Sequence, residues 1–200
     1  MRQDAMTIKP SGYIRAAMHA AVTLCLAAFL WFVPRPASLW AVAALAGLFF
    51  LFELVRLNLW RLNDFFFACA RPVLRPGEWW RPTGAAYVLW GTMAAAFCFP
   101  KGIAVAALTF LAVGDAASSL VGSYFSTRRS GPARFYRSLG CFISCAVASL
   151  ALHYAGLGVN LPVLLSGALS VAVVETLPLP VDDNLSLPLA AGLVMSLLSL

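Results

Sequence analysis

The chain has only eight acidic residues in 200. Seven of them, Glu53, Asp64, Glu78, Asp115, Glu175, Asp182 and Asp183, fall in or beside apolar stretches or in the segments that join those stretches on one side. A carboxylate in hydrocarbon is expensive unless it meets a partner or a polar cavity, so each is a candidate for chemistry. Asp115 stands within Val113-Gly114-Asp115-Ala116-Ala117-Ser118-Ser119-Leu120-Val121-Gly122. There Gly114, Ser118 and Gly122 repeat at helical spacing, a stripe along which a second backbone or a phosphate can approach, and Ser119 lies one turn from Asp115. The plainer reading of Asp115 is an acid that glues two helices together. Glu175 ends another apolar stretch, which Pro178 and Pro180 stop, and Asp182-Asp183-Asn184 follows directly. One residue of that triplet suits a helix N-cap. Two adjacent carboxylates exceed what a cap needs and repel each other unless a cation or a proton intervenes. Mg²⁺ at phosphoryl-transfer sites takes one or two carboxylates plus substrate phosphates, which makes Asp115, Asp182 and Asp183 the expected ligands. Arg128, Arg129 and Arg137 are the expected donors to phosphate oxygens, their plainer reading being topology-setting charge.

These residues must be carried by membrane helices. The composition is 62% hydrophobic and 11% charged, whereas soluble domains are about a quarter charged. Seven apolar stretches, 16–33, 37–55, 84–99, 103–124, 139–156, 159–177 and 185–200, approach the length that spans a bilayer. The expectation is an all-α, polytopic integral membrane protein with about seven transmembrane helices in one bundle and one domain over residues 1–200. Pro34 with Pro36, Pro100 with Gly102, and Gly156 with Gly158 predict tight turns between alternate pairs. Twelve of the 14 basic residues fall in 1–15, 56–83 and 125–138, leaving Arg35 and Lys101 on the other side. That bias predicts an inner-membrane protein with a cytoplasmic N-terminus, an external C-terminus and its acids gathered at the cytoplasmic face.

Segment 56–83 mixes arginines with Trp60, Phe65, Phe66, Phe67, Trp79 and Trp80, which suits a stretch lying along lipid headgroups. The polar start, Met1 to Tyr13, runs into the first apolar stretch without a cleavage pattern, so no removed signal peptide is expected. Five cysteines in or beside apolar segments read as packing residues, against a disulfide framework or a zinc site. A net charge of +6 does not point to nucleic acid, because the arginines sit between hydrophobic helices. There is no Walker-type Gly-x-x-x-x-Gly-Lys and no Gly-x-Ser-x-Gly. His19 shares a helix face with Arg15 and is a candidate for a phosphate or headgroup, whereas His153 reads as a buried structural histidine.

Taken in order, the motifs resemble the CTP-dependent dolichol, phytol and diacylglycerol kinases. Arg15 and His19 are similar to that family's N-terminal Arg-Lys-x-x-His, with Ala16 in place of the lysine. Arg75, Glu78, Thr83-Gly84-Ala85, Tyr87 and Gly91 resemble its Arg-Glu, Thr-Gly-Ala and Tyr pattern. Gly114-Asp115-Ala116 with Gly122, then Arg137-Ser138, then Glu175 ahead of Asp182-Asp183-Asn184-Leu185-Ser186-Leu187-Pro188-Leu189 complete the likeness from about residue 15 to 189. The family's basic loop carries lysines and a Lys-Ser/Thr-x-Glu-Gly ending, whereas this chain reads Tyr136-Arg137-Ser138-Leu139-Gly140-Cys141.

The resemblance implies transfer of the γ-phosphoryl of CTP, or of another nucleoside triphosphate, to the hydroxyl of a membrane lipid alcohol with Mg²⁺ or another divalent cation. Asp115, Glu175, Asp182, Asp183 and Asn184 would form the catalytic set. Arg15, His19, Arg75, Glu78, Thr83, Gly84, Tyr87, Gly114, Ser118, Ser119, Gly122, Arg128, Arg129, Arg137 and Ser138 would line the nucleotide and substrate site. The rival enzyme is a phosphatidate cytidylyltransferase, whose C-terminal Lys-Asp and His-Gly-Gly signature is absent. A small transporter or non-catalytic assembly protein would predict two repeated halves with broken helices, and no repeat is evident.

Overall fold

Each of the seven apolar stretches coils into a helix, and an eighth helix forms in the aromatic segment. The computed structural model describes residues 12–70, 74–125, 132–178 and 180–200, among which there is no strand. In chain order the helices are α1 (Gly12–Phe32), α2 (Arg35–Asn58), α3 (Trp60–Ala70), α4 (Gly84–Cys98), α5 (Lys101–Phe125), α6 (Pro132–Tyr154), α7 (Leu161–Val174) and α8 (Asp183–Leu197), with a 3₁₀ turn at Pro76–Trp79 ahead of α4. By length and composition α1, α2, α5 and α6 could each cross a membrane. The apolar helices α4, α7 and α8 have 15, 14 and 15 residues, short of the roughly 20 that a full crossing takes.

Three expectations change. Segment 56–83 is not an open loop, because α3 and the 3₁₀ turn fold inside it. Arg56, counted above among loop charges, belongs to the last turn of α2 and is fully buried. The described residues of the basic stretch 125–138 are helical, since α5 reaches Phe125 and α6 starts at Pro132, putting Arg134, Arg137 and Ser138 on α6. Hydropathy marks only the apolar part of a helix, whereas backbone hydrogen bonding continues into polar sequence until a turn stops it. The tight turns hold: Gly156 and Gly158 both have φ near +80°, a left-handed conformation that glycine adopts without Cβ strain.

Helix α5 is the hub, packed against α1, α4, α6, α7 and α8. From Ile103 to Ala112 every residue except Thr109 is buried, so this helix is apolar on all sides because it has neighbours on all sides. Small residues let the helices approach closely. A Cβ at Gly114 would come within 2.9 Å of the Cys141 sulfur and 3.1 Å of the Cys145 sulfur of α6, and one at Gly167 within 2.7 Å of Met195. At one end of the bundle Arg35 donates to the Phe99 carbonyl (3.1 Å) and Lys101 to the Val33 carbonyl (3.0 Å), satisfying acceptors left over at helix C-termini. The acids gather at the other end.

Candidate functional site

Two local devices fix the starts of α4 and α8 at that end. Thr83 is the N-cap of α4, its Oγ1 accepting from the Ala86 N–H (3.3 Å). Asp182 is the N-cap of α8, one carboxylate oxygen accepting from the Asn184 N–H (3.1 Å). Pro188, inside α8, has no N–H to offer the Asn184 carbonyl four residues earlier. That carbonyl instead abuts Gly91 of α4, where a Cβ would overlap it. The Asn184 side chain is thereby held in the bundle, and His19 Nε2 of α1 meets its Oδ1 at 2.6 Å. With Oδ1 as acceptor, Nε2 carries a proton.

Around this bond lies a cavity of about 280 Å³. Its polar wall is Arg15, His19, Arg75, Glu78, Thr83, Gly84, Asp115, Ser119 and Asn184, and its apolar wall includes Met18, Val22, Phe49, Phe66 and Val88. Six helices and the 3₁₀ turn contribute. A second, more polar recess of about 440 Å³ shares Arg75 and Glu78 with it and adds Arg81, Tyr87 and Asp182.

The wall between the two recesses is pinned from below. Glu53 and Arg56 of α2 form an ion pair whose side chains are 3% and 0% exposed. Arg56 also donates to Asn63 Oδ1 (2.6 Å), the Glu78 carbonyl (3.2 Å) and the Arg81 carbonyl (2.9 Å). The other oxygen of Glu53 accepts from the Thr83 N–H (3.1 Å) and hydroxyl (2.6 Å). Phe66 and Phe67 of α3 cover the guanidinium at 5.6 and 5.8 Å. Glu78 in turn accepts from the Gly84 N–H and the Arg75 N–H, both at 3.0 Å.

The remaining acids are not assembled into a ligand cage. Among the described residues no three His, Cys, Asp or Glu side chains group closely enough to hold a metal ion. The expected triad of Asp115, Asp182 and Asp183 is therefore not preformed: Asp115 lines the cavity from α5, and Asp182 spends one oxygen on its cap. Their charges do reach one another. At the start of α8, ahead of its apolar run, Asp183 is pushed up to about 6 by burial, by Glu175, Asp182 and Asp115, against a lowering by Arg75. Such a surplus of negative charge, carried on hard oxygen donors, fits a cation that takes one or two carboxylates and completes its shell with phosphates and water. No family model, curated protein or solved structure matches the chain.

The predicted residues divide clearly. Nine of them meet in the first cavity, and Tyr87 and Asp182 join Arg75 and Glu78 in the second. Glu175 lines neither and pairs with Arg137 at 2.8 Å, the acid 4% and the arginine 46% exposed. Ser138 donates to the Ala172 carbonyl (2.7 Å), tying α6 to α7. Gly114 and Gly122 face α6, where a Cβ at Gly122 would come within 3.2 Å of Arg137, and the buried Ser118 lies between them. The small stripe of α5 is thus occupied by side chains of α6. Arg128 and Arg129 lie outside the described residues. Sequence reasoning missed the Glu53–Arg56 hub, although an acid and a base three apart in an apolar helix were a legible signal.

Proposed function

We propose that the chain is a membrane lipid-alcohol kinase that transfers the γ-phosphoryl of CTP, or of a related nucleoside triphosphate, to a lipid hydroxyl. The single observation that carries this reading is the convergence of nine motif residues, drawn from positions 15 to 184, on one cavity whose opposite wall is apolar. Such a cavity suits a substrate with a polar head and a greasy body. The reading includes seven membrane-embedded helices, a cytoplasmic N-terminus and a site at the cytoplasmic face, supported by the skew of basic residues toward the end where the acids gather.

The lipid hydroxyl oxygen attacks the γ-phosphorus, the bond from that phosphorus to its bridging oxygen breaks, and the nucleoside diphosphate departs. Asp115, the one acid of the expected metal triad that lines the first cavity, accepts the hydroxyl proton. Asn184 fixes the His19 ring in the cavity wall, and Arg15 and Arg75 neutralise phosphate charge. Asp182 and Asp183 would hold Mg²⁺, which when bound screens the charge of the triphosphate. Arg137 is committed to Glu175 and acts as a structural partner of that acid.

The test supplies purified protein with CTP labelled separately on its α- and γ-phosphates, together with diacylglycerol or a polyprenol. Label from the γ-position alone in the lipid is expected. Label from the α-position would make the protein a nucleotidyltransferase, and no label from either, with properly folded protein, would refute both.

A further inference from the structure

Two apolar grooves flank α2. One, between α2 and α4, is lined by Ala43, Gly47, Phe50, Trp90 and Met93 and shares no lining residue with the polar cavity. The other, of about 420 Å³, runs between α1 and α2, where Val22, Cys25, Leu26 and Phe29 face Val42 and Leu45. Its upper end is Val22, which also lines the polar cavity, directly below His19 on α1. The two spaces therefore adjoin at Val22, with His19, Asp115 and Asn184 in the wall of the polar one.

We infer that this groove holds the hydrocarbon chain of the lipid alcohol, which enters sideways between α1 and α2 with its hydroxyl toward His19 and Asp115. The inference rests on the kinase reading for the identity of the headgroup. The shared Val22 selects this groove over its neighbour, which has no residue in common with the cavity that the terminal hydroxyl must reach. Length agrees as well: His19 to Phe29 spans about 15 Å at 1.5 Å per residue, half of a hydrocarbon core of roughly 30 Å. A chain drawn from one leaflet stays within that leaflet as its head reaches the site. The aromatic segment at α3 then closes the cavity, with Phe66 in its wall, and does not serve as the entrance.

The test uses a long-chain primary alcohol with a diazirine near the middle of its chain, photolysed on the full protein in nanodiscs without nucleotide. A phosphatidylcholine bearing the same diazirine serves as the comparison. Adducts from the alcohol on positions 21–29 and 41–45, at least tenfold above those from the phosphatidylcholine, are expected. Ala41→Trp, at an exposed position lining the groove, should reduce them about tenfold. In a Cys69→Ser/Cys98→Ser chain, Cys25 is the one exposed thiol among the described residues, and the alcohol should protect it from a maleimide. Adducts confined to the α2–α4 groove, equal labelling by the phosphatidylcholine, or unprotected Cys25 would overturn the inference. Because no turnover is read, groove labelling without phosphorylation defeats only the kinase reading, and phosphorylation without groove labelling defeats only this one.

Discussion

Replacing Arg56 by methionine tests how the wall between the two recesses is held. Five hydrogen bonds leave with the guanidinium: two to Glu53 and one each to Asn63 and the carbonyls of Glu78 and Arg81. Methionine fills much of the volume, so the cost comes from a carboxylate left buried without its cation and from two carbonyls left short of a donor. Breaking a buried pair from one side costs about 3–5 kcal/mol. Glu53→Gln breaks the pair from the other side and turns an NH2 toward the donors of Arg56 or Thr83, so it should cost a similar amount, about 3–5 kcal/mol. The double variant removes the orphaned charge, so it should be less destabilised than the sum of the singles by about 2 kcal/mol. Equilibrium unfolding in mixed detergent micelles, followed by the fluorescence of the six tryptophans, measures all four states of the cycle. Nucleotide binding should weaken in step, because Gly84 and Glu78 lose their fixed positions. Additivity within about 0.5 kcal/mol would mean the pair is not coupled and would refute the reasoning.

Gly91→Ala drives a methyl group into the Asn184 carbonyl and should cost about 1–3 kcal/mol with loss of nucleotide binding, whereas Gly47→Ala, with nothing within 4 Å, should be neutral or stabilising by up to about 1 kcal/mol; thermal unfolding compares them. Asp115→Asn should abolish phosphoryl transfer while leaving the melting temperature close to that of the parent chain. The raised Asp183 favours the proton in the folded protein, so between its ordinary 3.8 and about 6 stability falls as pH rises, and the penalty is complete above 6. Part of Asp183 stays open to solvent, and screening leaves a stabilisation of about 1 kcal/mol for Asp183→Asn at pH 8 that vanishes near pH 3; Mg²⁺-dependent nucleotide binding should fall as pH drops through about 6. Arg137→Gln should cost about 1 kcal/mol, less in high salt, by the same unfolding measurement.

Much of this architecture could be read from apolar runs and their punctuation, because prolines and glycines stop helices for local steric reasons. The Asp182 cap was legible for the same reason. The starts of α6 and the existence of α3 were not, since neither is announced by hydropathy: one extends an apolar run into Arg134 and Arg137, and the other mixes Trp60 and Arg61 with Phe65. Motif order pointed to His19, Asp115 and Asn184, which line one cavity, yet it could not say that Gly114 would be filled by Cys141 and Cys145 or that Glu175 would turn to Arg137. Those outcomes depend on which face of α5 meets α6, a property of packing that no single stretch of sequence contains. Arg56 was hidden because a window average over α2 treats one cation among leucines and phenylalanines as noise.

The bond between His19 and Asn184 joins residues 165 positions apart. During synthesis α1 leaves the ribosome long before α8 exists, and until α8 arrives the cavity has no Asn184 wall and Gly91 has no carbonyl to abut. Closing so long a loop is slow. On the proposed reading the site stays incomplete until α8 has emerged, and a product truncated ahead of α8 would lack the Asn184 wall however well its earlier helices had packed.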